Sequence, residues 1–218
     1  MGLSSRRAIV FDWDGTVADT LVGITTTARE VLLGFGLAED ELGDLKRLVG
    51  PPFPQAYAQV YGLSDEDAME VTLRYRDLYA SRDVSAWPAF PGMAELLSEL
   101  RDAGRLLAIA SSKRHPLVMR QVGDNGLVPA FDAIVGKMSD LAATKVGAIE
   151  QALAQLGVSA EEAVMVGDRD LDVYAAAELG IPCVGVLYGN TGTREELAGA
   201  GAVAIAETMD DLRRILLG

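Results

Sequence analysis

Short apolar runs alternate with helix-period patterns along most of this chain, and from residue 88 onward the alternation is regular. In PGMAELLSELRDAG, Met93, Leu96, Leu97, Leu100 and Ala103 fall on one helical face between Pro91 and Gly104. LLAIA at 106–110 has the length of a buried strand, followed by a helix over 117–122 and a strand FDAIV at 131–135. Val146, Ile149, Leu153 and Leu156 keep helical register up to Gly157. AVMVGD (163–168) reads as a strand, and the next helix runs to Leu179 with Gly180 beyond it. PCVGVLY (182–188), AVAIA (202–206) and a helix over MDDLRRILL complete the series, while RRAIV supplies a further strand near the start. Short apolar strands separated by amphipathic helices predict an α/β fold, with a parallel sheet between helices.

Residues 18–87 break this rhythm. Ile24, Ala28, Val31, Leu32 and Phe35 mark one amphipathic helix, and Leu42, Leu45, Leu48 and Val49 a second, ended by Gly50-Pro51-Pro52. Phe53, Ala56, Tyr57 and Val60 suggest a third. A fourth begins behind Ser64 as N-cap, with Ala68, Val71, Tyr75 and Leu78 in register. With no strand signal here, the expectation is an all-helical domain at 18–87 inserted into an α/β core formed by 1–17 and 88–218.

Composition narrows the partners. Half of the 218 residues are apolar, enough for a real core, and the formal net charge is −13. Nucleic acid and anionic membrane surfaces are poor partners for such a chain, since binding either rests on clustered Lys and Arg. No apolar run approaches the roughly 20 residues a membrane helix needs. The opening MGLSSRR lacks the apolar stretch of a signal peptide. Cys183, the single cysteine, sits in the apolar run IPCVGV and reads as a buried thiol. Together these lead us to expect a cytoplasmic protein.

The candidate chemistry lies where strands end. FDWDGTVADT follows the first strand, and its Asp12 and Asp14, at i and i+2, project from one face toward one point. Two converging negative charges call for a cation or a proton. Ser111-Ser112-Lys113 follows LLAIA, Lys145 opens the helix after the next strand, and GDRDLD carries Asp168 and Asp172. Open parallel sheets bind ligands at these carboxyl ends. Each element has a plain alternative: Ser111 and Ser112 as helix N-caps, Lys145 as a solvated lysine, 168–172 as an acidic helix start.

Jointly, the residues resemble the haloacid dehalogenase superfamily, in particular its phosphatases with a helical cap. DWDGT matches that family's DxDGT, Ser111 its hydroxyl motif, Lys145 its lysine and GDRDLD its acidic GDxxxD. LVGPP, RYRDLY, FPGM, TKVGAIEQAL and GVLYG resemble the phosphoglycolate-phosphatase-like branch. The resemblance implies a Rossmann-like core and a Mg2+-dependent phosphomonoesterase working through an aspartyl-phosphate. Asp12 would be the nucleophile and Asp14 the general acid and base. Mg2+ would sit on Asp12, the Asp14 backbone carbonyl and Asp168. Ser111, Ser112 and Lys145 would hold the phosphoryl group, with Thr16, Lys113 and Asp172 in support.

Trp13 occupies a place usually held by a smaller residue, and as i+1 it should face away from the carboxylates. Val146 replaces the proline often found after the lysine, which leaves Lys137 as a competitor for the role of Lys145. His115, the only histidine, reads as an exposed helix start before Pro116. The expected substrate is a small anionic phosphomonoester such as 2-phosphoglycolate, its far end met by cap residues among Arg47, Gly50, Tyr57, Tyr75 and Arg76, with Arg47 near the carboxylate. Hinges are expected near 17–20 and 85–91. A phosphosugar mutase and a sugar-phosphate or nucleotide phosphatase are the alternative activities. The protein is expected as a monomer or homodimer.

Overall fold

The computed structural model describes residues 2–138 and 144–218. Six strands, β1 (Ala8–Phe11), β2 (Leu106–Arg114), β3 (Ala133–Lys137), β4 (Ala163–Gly167), β5 (Cys183–Val186) and β6 (Ala204–Ala206), form one sheet in the order β3-β2-β1-β4-β5-β6. All neighbouring pairs are parallel. The helices are α1 (Leu21–Phe35), α2 (Gln55–Tyr61), α3 (Asp65–Ala80), α4 (Met93–Asp102), α5 (His115–Asp124), α6 (Lys145–Leu156), α7 (Asp170–Glu178), α8 (Arg194–Ala200) and α9 (Met209–Leu217).

Alternation along the strands divides the core into two layers. Ile9, Phe11, Leu107, Ile109, Val164 and Val166 face α4, α5 and α9, where Leu96, Leu97, Val118 and Leu212 are fully buried. Ala8, Val10, Ala108, Ala110, Ala163 and Met165 face α6 to α8, against Ile149, Ala152, Val173 and Leu197. Strands buried on both faces explain why they read as continuous apolar runs. Trp13 is fully buried in the first layer, and its indole N–H donates to Gln121 Oε1 at 2.8 Å.

A third apolar cluster belongs to the segment after β1. Ile24, Ala28 and Leu32 of α1, Tyr57 of α2, Val71, Tyr75 and Tyr79 of α3, and Trp87 pack together. Phe53, Tyr75, Tyr79 and Trp87 form a continuous file of ring contacts, with centroids 4.9, 5.2 and 5.2 Å apart. Ser64 caps α3 as its sequence suggested, accepting from the Asp67 N–H at 3.1 Å.

Several elements differ from the sequence reading. Leu42, Leu48 and Val49 are buried, but no α-helix joins them, only 3-10 turns at Glu39–Glu41 and Leu45–Leu48. Gly43 at φ +56° interrupts the run, and Asp44 caps the Lys46 N–H at 3.0 Å. Here the spacing of apolar residues marks burial rather than helix. β2 extends past LLAIA through Ser111 and Ser112 to Arg114, so neither serine is a helix cap; the pairing with β3 shifts register between Ala110 and Arg114. His115 does open a helix but is half-buried. The short α8 carried too few apolar residues to be seen. No helix among the described residues is long and apolar enough to cross a membrane.

The chain returning from the helical segment is pinned to α5. Asn125 accepts from the Ala89 N–H at 2.7 Å and donates to the carbonyls of Trp87 and Gln121 at 3.0 and 2.8 Å. Asn125→Ala leaves the Ala89 N–H and the Trp87 carbonyl unpaired, while the Gln121 carbonyl keeps the Asn125 backbone N–H, so urea unfolding should show a loss of about 2 kcal/mol. An unchanged midpoint would mean that water replaces the amide.

Candidate active site

The central strands β1 and β4 end side by side while β2 runs on beside them, which brings Asp12, Asp168 and Ser111 to one edge of the sheet. Lys145, at the first turn of α6, reaches across: its Nζ donates to Asp12 Oδ1 at 2.5 Å and to Asp172 Oδ1 at 2.7 Å. Lys137, at the end of β3, lines the same cavity. Asp12, Asp168 and Asp172 bring ligand oxygens within 4.8 Å of one another, all three buried. The Asp14 carboxylate is turned elsewhere, toward Lys113 Nζ at 2.6 Å, so any metal contact from Asp14 falls to its backbone.

Burial sets the electrostatics. It pushes the Asp12 carboxyl up to about 7, aided by the charges of Asp172 and Asp14 and opposed by Lys145. Asp168 stands well above the usual carboxylate range, first through burial and then through Asp172 and Asp12. Burial works against the charge of Lys145, yet Asp12 and Asp172 hold its proton more firmly than water would. Three carboxylates against one ammonium leave two surplus negative charges when all are ionised. An all-oxygen, buried donor set with surplus charge fits a hard divalent cation.

The backbone is shaped to this cluster. Gly15 has φ +73°, and a Cβ there would overlap the Asp168 carboxylate. A Cβ at Gly192 would overlap the Asp168 carbonyl. Thr16 donates to Asp168 Oδ1 at 3.3 Å and Thr191 to the other oxygen. Thr191 was not legible in the sequence; its only signal was the Gly-, Asn- and Thr-rich loop after β5. Ser111 is buried, its Oγ accepting from the Lys113 N–H at 3.2 Å, and half-buried Ser112 lines the cavity. Gln121 was also missed: its carbonyl accepts from both Trp13 and Lys113 Nζ, the latter at 3.0 Å.

A cavity of about 490 Å³ opens above this floor, walled by Leu48, residues 50–53, Tyr75, Arg76 and Tyr79 of the helical segment. Of the candidate cap residues, Gly50, Tyr75 and Arg76 therefore face it. Arg47 does not: it is exposed and outside the lining, its Nε donating to the Asp44 carbonyl at 3.3 Å. Tyr57 is fully buried and stacks on Phe53 at 4.6 Å, a packing residue. Cys183 is buried, and burial raises its thiol well above its ordinary range.

Known proteins are similar to this chain in sequence and in fold. The sequence profile described as haloacid dehalogenase-like hydrolase matches residues 9–186. Tyrosine-protein kinase PtkA of Mycobacterium tuberculosis is 37% identical, over 97% of this chain and 73% of that protein. A 5'-nucleotidase of Pseudomonas aeruginosa is 32% identical over 95% and 94% of the two chains. A phosphoglycolate phosphatase of Rhodospirillum rubrum is 30% identical over 94% and 89%. The crystal structure of a predicted phosphatase from Clostridium acetobutylicum superposes with a TM-score of 0.91, at 33% identity over 98% and 99% of the chains. On the profile and on these relatives, the chain belongs to the haloacid dehalogenase-like hydrolase family.

Proposed function

We propose that this enzyme hydrolyses small phosphomonoesters through a phosphoaspartate at Asp12. The observation that carries the reading is the meeting of Asp12, Lys145 and Ser111 with a buried acidic cluster at the floor of a roofed cavity. Lys145 fixes the Asp12 carboxylate for attack on phosphorus, and the acyl phosphate so formed divides one hard hydrolysis into two displacements. Asp14 protonates the departing alkoxide and then takes a proton from the attacking water, with Lys113 holding its carboxylate in place. Ser111, Ser112 and Lys145 donate to the phosphoryl oxygens, where charge is greatest in the transition state.

Asp12, Asp168 and the Asp14 carbonyl are the residues that would hold Mg2+, which supplies charge neutralisation on the phosphoryl group. Asp172 serves Lys145 instead, through their 2.7 Å pair. We place residues 18–87 as a cap over the α/β core, excluding water and selecting the substrate's far end. The net charge of −13 supports a small metabolite rather than nucleic acid or a membrane, and the lone buried Cys183 fits a reducing cytoplasm.

The substrate is a compact anionic phosphomonoester of the 2-phosphoglycolate kind. A nucleoside monophosphate is the second reading, favoured by a 490 Å³ cavity walled in part by Phe53 and Tyr75. A panel of 2-phosphoglycolate, sugar phosphates, nucleoside 5'-monophosphates and phosphotyrosine, scored by phosphate release, separates them. We expect kcat/KM to favour one class by at least about tenfold. Isomerised sugar phosphate without phosphate release would indicate a mutase. Label passing from ATP to protein tyrosine would indicate a kinase.

Asp12→Asn keeps the shape but removes the attacking charge. Its hydrolysis of p-nitrophenyl phosphate should fall by about 10³-fold or more while the circular dichroism spectrum stays that of the parent. Activity within tenfold of the parent would place the nucleophile elsewhere.

EDTA should abolish turnover and added Mg2+ restore it, while Ca2+ should inhibit because its looser coordination holds the phosphoryl group out of line. Full activity after exhaustive chelation would remove the metal from this account.

A further inference from the structure

We propose that Arg169 is a positioning residue that latches the helical segment over the cavity, with Glu196 as its anchor. This rests on the hydrolase reading of that cavity. Arg169 stands inside GDRDLD, a stretch whose aspartates account for its chemistry and leave the arginine without a role. Its backbone N–H donates to Asp172 Oδ2 at 3.1 Å, which ties it to the acidic cluster. The side chain leaves that cluster. Nε pairs with Glu196 Oε1 at 2.7 Å, and the same oxygen accepts the Asp170 N–H at 3.1 Å. Nη1 donates to the carbonyl of Val49, on the segment that precedes the cavity wall at 50–53.

The fit on the far side is tight. Gly50 has φ +102°, and a Cβ there would stand 2.9 Å from Arg169 Nη1 and 3.2 Å from its Cγ. Arg169 and Glu196 are only 19% and 22% exposed, so the pair is shielded from the screening that weakens surface ion pairs. The acceptor is a main-chain carbonyl more than a hundred residues away in sequence, and the bond exists only while the 49–53 segment lies against the core. A guanidinium serves two acceptors from separate nitrogens of one rigid plane, which a single ammonium on a flexible stem cannot copy. Entry of substrate and departure of phosphate then require this bond to open. Arg169 governs retention of ligand rather than the bond-breaking step.

Two variants test the latch: Arg169→Lys, which keeps the charge but loses the fork, and Glu196→Gln, outside the cavity lining. Amide hydrogen exchange at 47–53 should speed up about tenfold in both, with β1 and β4 unchanged. Inhibition by inorganic phosphate should weaken about fivefold, while kcat of Glu196→Gln on p-nitrophenyl phosphate stays within about twofold of the parent. Unchanged exchange at 47–53 would overturn the proposal. So would acceleration spread equally over β4 and α7, which would make the pair a general stabiliser. A collapse of kcat in Arg169→Lys with exchange unaltered would place the arginine on the reacting phosphoryl group instead. If the parent itself fails to hydrolyse p-nitrophenyl phosphate, the hydrolase reading fails, and the exchange experiment still decides whether the latch exists.

Discussion

Everything at the sheet edge depends on one crowded ion cluster, the Lys145 ammonium held between Asp12 and Asp172 with Asp168 beside them. Buried carboxylates repel one another and lose hydration, and a single ammonium does not offset three of them. The arrangement persists because unrelated parts of the chain hold it. Parallel strands fix Asp12 and Asp168 on neighbouring ends, α6 delivers Lys145, and α7 returns Asp172 to the same point. Glycines 15 and 192 give Asp168 room that any side chain would fill. Such repulsion is relieved by a proton or by a cation.

Three contacts between the helical segment and the α/β layers share one theme, a core cation meeting a polar or aromatic acceptor. Lys113 Nζ lies 5.2 Å from the centroid of the Tyr79 ring. Arg120 donates to the carbonyls of Ala80 and Arg82 and lies over Trp87 at 5.2 Å. Arg169 meets the Val49 carbonyl. Carbonyls and ring faces carry no net charge, and each cation keeps a carboxylate of its own (Asp14, Asp124 and Glu196), so such contacts form and break without stranding an ion. Lys113 also binds Asp14, which puts one of these contacts a single bond from the candidate acid.

Much of the core was legible because strands buried on both faces are strongly apolar and their helices carry clear periodicity. Leu106 to Ala110 and Ala163 to Gly167 are strands in both readings. The Leu42 to Val49 run misled because burial in an irregular segment imitates helical spacing when glycine breaks the backbone. The candidate site was visible where polar side chains come after apolar runs in fixed order, as with Asp12, Ser111 and Asp168. Thr191, Gln121 and Arg169 were not, since each acts on a partner remote in sequence and has no local pattern. The charge of Arg47 does not say which way the residue points, and its side chain turns to the Asp44 carbonyl.

The two tryptophans divide between packing units: Trp13 lies within the first core layer and Trp87 within the helical cluster, both fully shielded from water. Trp13 donates to Gln121, whereas Trp87, at the end of the ring file beneath Arg120, donates to Asp124 Oδ2 at 3.2 Å. Their emission therefore carries two separable signals, one from each unit. A single-tryptophan pair of proteins would turn ordinary fluorescence into a clock for whether sheet and helices come apart together or one after the other.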